Sequence, residues 1–340
     1  MIKIGQIGIG HNHSDKIKVI RKHPELFQLV GYAEENEEWV ARRGQEPHFR
    51  DVPRMSVEEI IEKSDAILVE TDVWDLTRTA QLCVDAGKHV HMDKPASGTL
   101  EEYKHLLDTA RAKGLTVQLG YMYRYNPAVQ ELLKLAKEGT LGAIVSIEAE
   151  MSIRHNDRYR KWLGNFKGGD MYIFGCHLID LIVYLLGEPN KVLSSLVSSN
   201  VAGVTCDDIT SAILQYDHAV ARVSSTSLDW DGWDRRCFSV VGELGTAHIQ
   251  PMEVPCRMTF APKRTSGTAR RKMAQPVELP AVDSMENRYD AMLLGFYDYV
   301  TGRQENPFSY DHEYAVQKVL WDAVGGVEML GTALEEEKPK

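Results

Sequence analysis

The sequence has little of what marks secreted, membrane-spanning or disulfide-stabilised proteins. Its five cysteines form no Cys-x-x-Cys pair and are odd in number, which favours reduced thiols over a disulfide framework. No apolar run approaches the roughly 20 residues that a membrane span needs. The first residues lead directly into a predicted strand, without the charged, apolar and small-residue segments of a signal peptide. We therefore expect a cytoplasmic protein.

An excess of positive charge is also missing. The chain has 39 basic and 49 acidic residues, a net charge of −10, whereas nucleic acids and anionic membranes select basic surfaces. Neither is therefore expected as a partner. What the chain does have is a 43% hydrophobic content over 340 residues, which is enough for two domains with cores of their own.

Short apolar runs alternate with amphipathic stretches over the first 120 residues. Strands are predicted at 3–9, 28–33, 66–69, 88–92 and 116–119, and helices at 14–23, 58–63, 75–86 and 99–113. Strand–helix alternation with short connections implies right-handed crossovers and a parallel sheet. The predicted fold class is thus α/β, beginning with a doubly wound Rossmann domain at residues 1–122.

The pattern changes after Asn126-Pro127. Longer strands, several of them alternating polar and apolar residues, are predicted at 143–151, 191–200, 209–216, 219–228, 236–242 and 245–250. Helices are predicted at 127–138, 171–186, 286–301 and 311–331, and an exposed loop at 262–275. Alternation of this kind indicates a mostly antiparallel sheet with one open face. Residues 123–340 are therefore predicted to form an α+β domain for substrate binding and oligomerisation.

A turn of the dinucleotide-binding type follows the first predicted strand. It comprises Gly8, Gly10, His11, Asn12 and His13, with Ile9 between the glycines. In such a turn the first glycine permits the tight bend, the second lets a pyrophosphate approach the backbone, and the helix N-terminus supplies N–H donors. His13 stands where the third glycine of the usual pattern would be. The turn predicts a bound dinucleotide.

Glu34 lies about 20 residues further on, at the end of the second predicted strand. A carboxylate there accepts hydrogen bonds from ribose hydroxyls and repels a 2′-phosphate, so NAD is favoured over NADP as the cofactor. Each of the pairs His11/His13 and His89/His91 could form half of a metal site. Neither has a cysteine or carboxylate cluster at ligand spacing in the sequence, so no metal is predicted.

Several motifs, taken in order, resemble the glucose–fructose oxidoreductase / inositol dehydrogenase (Gfo/Idh/MocA) family over nearly the whole chain. Besides the glycine turn they are Asp93-Lys94-Pro95, the run 120–127, Gly168-Gly169 with 175–180, and the run 242–247. The resemblance implies hydride transfer between NAD(P) and a secondary hydroxyl of a sugar, inositol or related polyol. It also implies a second domain whose open sheet forms a homodimer or homotetramer.

The resemblance also implies roles for individual residues. Lys94 matches the family's lysine that hydrogen-bonds the reacting hydroxyl near the nicotinamide ribose, and His177 matches its acid/base histidine. Ile173 stands where the family commonly has an aspartate that shares the proton transfer. Two carboxylates could replace it: Asp180, which we assign to the catalytic set with Lys94 and His177, and Asp170. Thr71 and Asp93 are further candidates for the cofactor site.

The candidate substrate ligands are aromatic and polar residues on segments expected to face the cofactor. They are Tyr123, Arg124, His155, Arg158, Trp162 and Tyr172, together with His177. Two alternatives to a dehydrogenase remain open at this stage. One is an NAD-dependent glycosidase that oxidises a ring hydroxyl transiently and eliminates the aglycone. The other is a non-catalytic homologue that binds the cofactor.

Overall fold

The structure, a computed structural model, describes residues 1–11, 13–263, 274–280 and 287–325. It divides into two compact units. The first comprises Met1–Tyr121 with Tyr289–Tyr314, and the second comprises Met122–Arg288 with the segment beginning at Ala315. Asn12, most of the predicted loop at 262–275 and the end of the predicted helix at 311–331 lie outside the described residues.

The first unit contains a five-stranded parallel sheet. Its strands are β1 (Ile2–Ile7), β2 (Phe27–Ala33), β3 (Ala66–Val69), β4 (His89–Met92) and β5 (Val117–Leu119). The strand order is β2-β1-β3-β4-β5, so the direction of winding reverses between β1 and β3. Every residue of β3 is buried, as a central strand of a sheet covered on both faces requires. The predicted doubly wound sheet is confirmed.

Helices connect these strands, and their ends follow from local sequence. They are α1 (Ile17–Lys22), α2 (Glu37–Arg43), α3 (Val57–Lys63), α4 (Leu76–Asp85) and α5 (Leu100–Lys113). Ser56 and Thr99 each begin a helix with a capping box, in which the cap hydroxyl and a glutamate three residues on satisfy two backbone N–H groups. The short helix α2 has no buried residue, so an apolar period gave no signal for it in the sequence.

The second unit contains an eight-stranded sheet. Its strands are β6 (Ile144–Glu150), β7 (Lys191–Val197), β8 (Ile209–Gln215), β9 (Val220–Thr226), β10 (Cys237–Gly242), β11 (Gly245–Ile249), β12 (Met258–Pro262) and β13 (Gln275–Pro276). The order is β13-β12-β11-β10-β6-β9-β8-β7, and all neighbours are antiparallel except β6 and β9. The predicted mostly antiparallel sheet is therefore confirmed, with β12 and β13 added.

Helices of the second unit are α6 (Pro127–Lys137), α7 (Asp157–Leu163), α8 (Cys176–Leu186) and the single turn α9 (Gly232–Arg235). One turn of π-helix, Met171–Gly175, leads into α8. The sequence predicted one continuous helix over 171–186, since a wider turn leaves no trace in the apolar pattern. Eight consecutive residues from Cys176 to Val183 are buried, which fixes α8 in the core.

Two late helices follow: α10 (Asp290–Val300) and α11 (Tyr310–Ala323). The sequence division placed all residues after 122 in the second domain, whereas Tyr289–Tyr314 belongs to the first compact unit. The reason is packing of α10 on that unit: Tyr297 meets Phe27 edge-to-face at 5.4 Å, and the Gln118 side chain donates to the Met292 carbonyl at 3.1 Å. Such long-range packing is invisible in local sequence patterns.

Candidate active site

The glycine turn lies where β1 ends, beside the end of β3. Gly8 has φ +91°, a conformation that residues with a side chain rarely adopt. A Cβ added there would also lie 2.4 Å from the Glu70 carbonyl oxygen, so both the backbone conformation and the lack of space require glycine. A Cβ at Gly10 would lie 2.5 Å from the Trp39 indole nitrogen. The indole therefore gives Gly10 a packing reason to be glycine, and the approach of a pyrophosphate to Gly10 stays a prediction.

Glu34 is attached to the turn directly. One carboxylate oxygen accepts a hydrogen bond from the Ile9 backbone N–H, and the other accepts one from the Asn36 N–H, both at 2.9 Å. A carboxylate offers about four acceptor positions, so two of them are left for ribose hydroxyls. Arg54 donates to the Glu34 carbonyl and also pairs with the Glu37 carboxylate.

A group of five ionisable side chains lies at the glycine turn. This group, the loop cluster, consists of His11, His13, Lys16, Glu70 and Asp93. The Lys16 ammonium lies 2.8 Å from Glu70 Oε1 and 3.3 Å from Asp93 Oδ1, and all three side chains are fully buried. The other Asp93 oxygen faces both imidazoles: Nδ1 of His11 at 2.6 Å and Nδ1 of His13 at 2.9 Å. The fold thus brings three side chains of one segment, residues 11–16, to a carboxylate just beyond the end of β4.

Burial and mutual charge set the protonation of this cluster. Burial lowers the pKa of His13 to about 3, so its imidazole is neutral near pH 7. Burial would raise the pKa of Asp93, but the Lys16 ammonium and the two imidazoles hold it well below its usual range. Burial raises the pKa of Glu70 well above its usual range, against the opposing effect of Lys16. Asp93 is therefore the carboxyl group of the cluster that stays ionised near pH 7.

Lys94 follows Asp93 just beyond the end of β4, in the part of a parallel sheet where ligands bind. Its side chain is nearly inaccessible, with 3% of its surface exposed, which excludes an ordinary solvated loop lysine. Thr71, the last of the predicted cofactor ligands, is half-buried at the end of β3 and its hydroxyl donates to the Asp72 carbonyl.

In the second unit, His177 lies in the first turn of α8 and is 4% exposed. The Tyr123 ring meets it edge-to-face, with centroids 4.9 Å apart and an angle of 82°. The Tyr123 hydroxyl in turn donates to the Glu253 carboxylate and accepts from Arg236 at 3.1 Å. Burial and the Glu253 charge raise the pKa of Tyr123, so its hydroxyl stays protonated. The Tyr123 ring beside His177 is therefore held in place by buried hydrogen bonds to Glu253 and Arg236.

Asp180 and Arg124 are partners. The guanidinium Nη2 lies 2.7 Å from Oδ1, and Nε lies 2.9 Å from Oδ2, in a bidentate pair whose side chains are 1% exposed. This pair gives both residues a structural role. The catalytic role of Asp180 and the substrate-binding role of Arg124 stay predictions.

Asp170 offers a different carboxylate close in sequence to His177. It is 1% exposed, Oδ1 accepts from the Ser227 hydroxyl at 2.7 Å, and Oδ2 has no hydrogen-bond donor among the described residues. Burial raises the pKa of Asp170 to about 7. A carboxyl with that pKa is suited to exchange protons at neutral pH. Ile173, at the family's aspartate position, is buried within the π-helical turn.

The remaining predicted substrate ligands divide into two groups. His155 stacks on Tyr159 at 4.0 Å, and Trp162 contacts the same tyrosine at 5.1 Å, so both belong to one aromatic cluster. Burial lowers the pKa of His155 to about 4. Tyr172 is fully buried, with its ring stacked on Phe166, whereas Arg158 is exposed on α7.

Comparison with known proteins identifies the family. A profile described as "Oxidoreductase family, NAD-binding Rossmann fold" matches residues 2–121, and one described as "GFO/IDH/MocA C-terminal domain" matches residues 129–248. The chain belongs to the Gfo/Idh/MocA family. The resemblance read from the sequence motifs is thereby confirmed.

Two curated relatives and one solved structure are similar to the chain. D-xylose 1-dehydrogenase (NADP(+)) 2 from Haloferax volcanii is 30% identical over 145 residues, 42% of this chain and 44% of that protein. Glucose-6-phosphate 3-dehydrogenase from Bacillus subtilis is 29% identical over 194 residues, 54% of each chain. The chain thus spans about half the length of these relatives. The structure of levoglucosan dehydrogenase with NADH and levoglucosan superposes with a TM-score of 0.80 at 20% identity, covering 96% of both chains.

The residues of the turn fit the dinucleotide that the family's first domain binds. Gly8 brings the turn against the end of β3, at the point where the winding of the sheet reverses, which is where open α/β sheets bind nucleotides. A hydrogen bond joins Glu34 to the turn, so the carboxylate predicted to accept ribose hydroxyls is fixed against the loop predicted to bind the pyrophosphate. No helix within the described ranges is long and apolar enough to cross a membrane.

Sequence reasoning missed Lys16 and Glu70, which complete the loop cluster, and Glu253 with Arg236, which hold Tyr123. A faint signal existed for the first two. Lys16 directly precedes a helix whose apolar residues are all buried, and Glu70 directly follows a fully apolar strand. An unpaired charge would be costly at either position. No local signal existed for Glu253, because its partner Tyr123 is 130 residues away.

Proposed function

We propose that this protein is an NAD-dependent dehydrogenase that transfers a hydride to or from a secondary hydroxyl carbon of a sugar, inositol or related polyol. The observation that carries the proposal is the Glu34 carboxylate bonded to the glycine turn at the reversal point of the sheet. The names of both curated relatives support a sugar-type hydroxyl substrate, since xylose and glucose 6-phosphate are polyhydroxylated.

The choice of NAD over NADP rests on charge. Glu34 would face the 2′ position of the adenosine ribose, where a phosphate is repelled by a carboxylate. The nearby Arg54 guanidinium is paired with Glu37, so its positive charge is already partly compensated. Relatives differ on this point: one has NADP(+) in its name, and one solved structure contains NADH.

Bound NAD supplies the hydride acceptor, and the protein positions the substrate and moves its proton. We assign the proton transfer to His177, whose imidazole takes or returns the hydroxyl proton. As the family resemblance implies, the Lys94 ammonium would donate a hydrogen bond to the reacting hydroxyl and stabilise the alkoxide as it forms. Both side chains are almost fully removed from water, where such charge interactions are strongest.

Cofactor choice is tested by titrating the purified protein with NADH and with NADPH, following energy transfer from tryptophan to the reduced nicotinamide. The wild type should prefer NADH. Glu34→Gln should reduce that preference by about tenfold, because about 1.4 kcal/mol of charge discrimination is lost. Glu35→Gln, an exposed neighbour, is the matched control and should leave the preference unchanged. Binding of neither dinucleotide would overturn the proposal.

Catalysis is tested on a panel of sugars, inositols and glycosides with NAD, following formation of reduced nicotinamide. On an active substrate, Lys94→Met and His177→Asn should each lower kcat by roughly 10²- to 10⁴-fold, the usual range for acid–base groups. Lys104→Met and His218→Asn, both at exposed positions, are the matched controls. Undiminished kcat in both active-site variants would refute the assigned roles.

The same panel separates the two alternatives. Ile173 replaces the family's aspartate, which leaves room for the different proton route of a glycosidase. A glycosidase of this kind would release an aglycone without accumulating reduced nicotinamide. A non-catalytic homologue would bind NADH and turn over no member of the panel. Net formation of reduced nicotinamide from a free sugar or inositol supports the dehydrogenase against both.

We also propose that the open face of the second sheet pairs with another copy of the chain. Leu193 of β7 lies directly opposite Ile213 of β8, and Val197 lies opposite Ile209, and all four are exposed. Ile213→Asp should shift the mass measured by light scattering towards the monomer, whereas Leu82→Asp, at an exposed apolar residue of α4, should leave it unchanged. A wild-type monomer would refute this proposal.

A further inference from the structure

The loop cluster contains a set of ligands for a metal ion. One nitrogen each from His11 and His13 and one oxygen of Asp93 all lie within 4.8 Å of one another. The sequence offered only the histidine pair, without a carboxylate at ligand spacing. The fold supplies that carboxylate from the end of β4, 80 residues away. We propose that His11, His13 and Asp93 form a binding site for a divalent transition-metal ion.

The ligand types and their spacing suit such an ion. Imidazole nitrogens with a carboxylate oxygen are typical ligands of Zn²⁺, Co²⁺ and non-haem Fe²⁺, and are not preferred by Mg²⁺ or Ca²⁺. With bonds of about 2.0 to 2.2 Å, neighbouring ligand atoms around a metal lie roughly 2.9 to 3.5 Å apart. The distances from Asp93 Oδ2 to His11 Nδ1 and His13 Nδ1 are 2.6 and 2.9 Å. A shift of the imidazoles away from Asp93 by a few tenths of an ångström, which side-chain motion allows, would make room for the ion.

A fourth ligand is available independently. Glu70 Oε2 is buried, accepts no hydrogen bond from any described residue, and lies 4.0 Å from His11 Nδ1. A buried carboxylate oxygen without a donor is costly, and a cation at this point would stabilise it. Glu70 is held at this position by its other oxygen, which Lys16 binds.

The charge of the surroundings also accommodates a cation. Lys16 approaches Asp93 on Oδ1, the oxygen that faces away from the histidines, so its ammonium does not occupy the proposed site. Two carboxylates, Glu70 and Asp93, face this one ammonium. The carboxyl groups near the proposed site therefore outnumber the ammonium groups among these five side chains.

The proposal does not rest on the dehydrogenase function and is tested without cofactor. Full-length protein stripped with a chelator is titrated with Co²⁺, following the ligand-field absorption of the ion, and with Zn²⁺ in a calorimeter. One saturable ion per chain is expected, with visible absorption that indicates nitrogen ligation. Mg²⁺ and Ca²⁺ should neither bind comparably nor displace Co²⁺.

Variants locate the site. His11→Asn and His13→Asn should each weaken Co²⁺ binding by at least roughly tenfold, since even residues beyond the direct ligands contribute that much. His23→Asn, a more exposed histidine that also pairs with a glutamate, is the matched control and should bind as the wild type does. Each variant also removes an imidazole from the buried Asp93 carboxylate, so circular dichroism and the unfolding midpoint are measured beside the titration to verify that the variant is folded. Absence of saturable binding, or equal affinity in His11→Asn, His13→Asn and the wild type, would overturn the proposal.

Discussion

Arg124 and Asp180 hold each other in a bidentate ion pair that is 1% exposed on both sides. Removing one partner of such a pair leaves an uncompensated buried charge. We therefore expect Asp180→Asn to lower the free energy of unfolding by about 3 to 5 kcal/mol. Urea denaturation measures the change.

The exposed pair between Arg222 and Glu148 is the control for this experiment. Its side chains are about half exposed, so Glu148→Gln should change stability by no more than about 1 kcal/mol. Similar small losses for Asp180→Asn and Glu148→Gln would show that the buried pair contributes little. A double replacement of Arg124 and Asp180 by Met and Leu should recover most of the loss, because no buried charge remains.

Asp170 should make stability depend on pH in an unusual direction. Burial raises its folded-state pKa to about 7, above the ordinary value of an unfolded aspartate, so the folded state binds the extra proton. Its contribution is present below pH 4 and is lost as the pH rises through 7. Asp170→Asn mimics the protonated carboxyl and should be more stable than the wild type at pH 7.5, by on the order of 1 to 4 kcal/mol.

Unfolding of both proteins by urea from pH 4.5 to 7.5 checks this prediction. Only the difference between them matters, since buried histidines such as His13 and His155 act in the opposite direction in both proteins. The wild type should lose stability relative to Asp170→Asn as the pH rises. A difference that is constant with pH would contradict a raised pKa at Asp170.

Gly8 should tolerate no side chain. Gly8→Ala places a methyl 2.4 Å from a backbone oxygen at a φ of +91°, and we expect a loss of at least about 3 kcal/mol or failure to fold. Gly87→Ala is the control, because its φ is +76° but nothing lies within 4 Å of the added carbon. It should cost only about 1 to 2 kcal/mol of backbone strain. Thermal unfolding distinguishes the two, and equal losses would show that contact with β3 is unimportant.

Tyr123 should act on His177 through its ring and on the core through its hydroxyl. Tyr123→Phe keeps the edge-to-face contact but strips Glu253 and Arg236 of a partner, so about 1 to 3 kcal/mol of stability should be lost with kcat nearly unchanged. Tyr123→Ala removes the ring as well and should lower kcat about tenfold further. Equal kcat in both variants would exclude a positioning role for the ring.

Local sequence was sufficient to predict a strand or a helix where the segment is buried on all sides or has capping residues at its ends. β3 is predicted at its observed residues because four apolar residues lie between polar ones, and α5 because Thr99 and Gly114 mark its ends. α2 and α7 were not predicted, since seven-residue helices with few buried positions show too little of an apolar period. β12 was not predicted either, because its residues show no clear polar–apolar alternation that would distinguish the strand from the loop before it.

The site was predictable in its residue types and less so in their contacts. Motifs in the sequence predict Lys94 and His177, and both side chains are buried. That Asp93 gathers two histidines, or that Asp180 turns to Arg124, depends on pairings across 80 and 56 residues. Contacts over such separations are set by the path of the chain through the sheets, which no local pattern records.

The strand order of the second sheet has a consequence for synthesis of the protein. β6 is the first of its strands to leave the ribosome, yet it pairs with β9 on one side and β10 on the other. Both of its edges therefore stay without hydrogen-bond partners until more than 70 further residues have been translated. At the usual pace of roughly 5 to 20 residues per second, this nascent strand waits several seconds, a period in which a chaperone can protect it from aggregation.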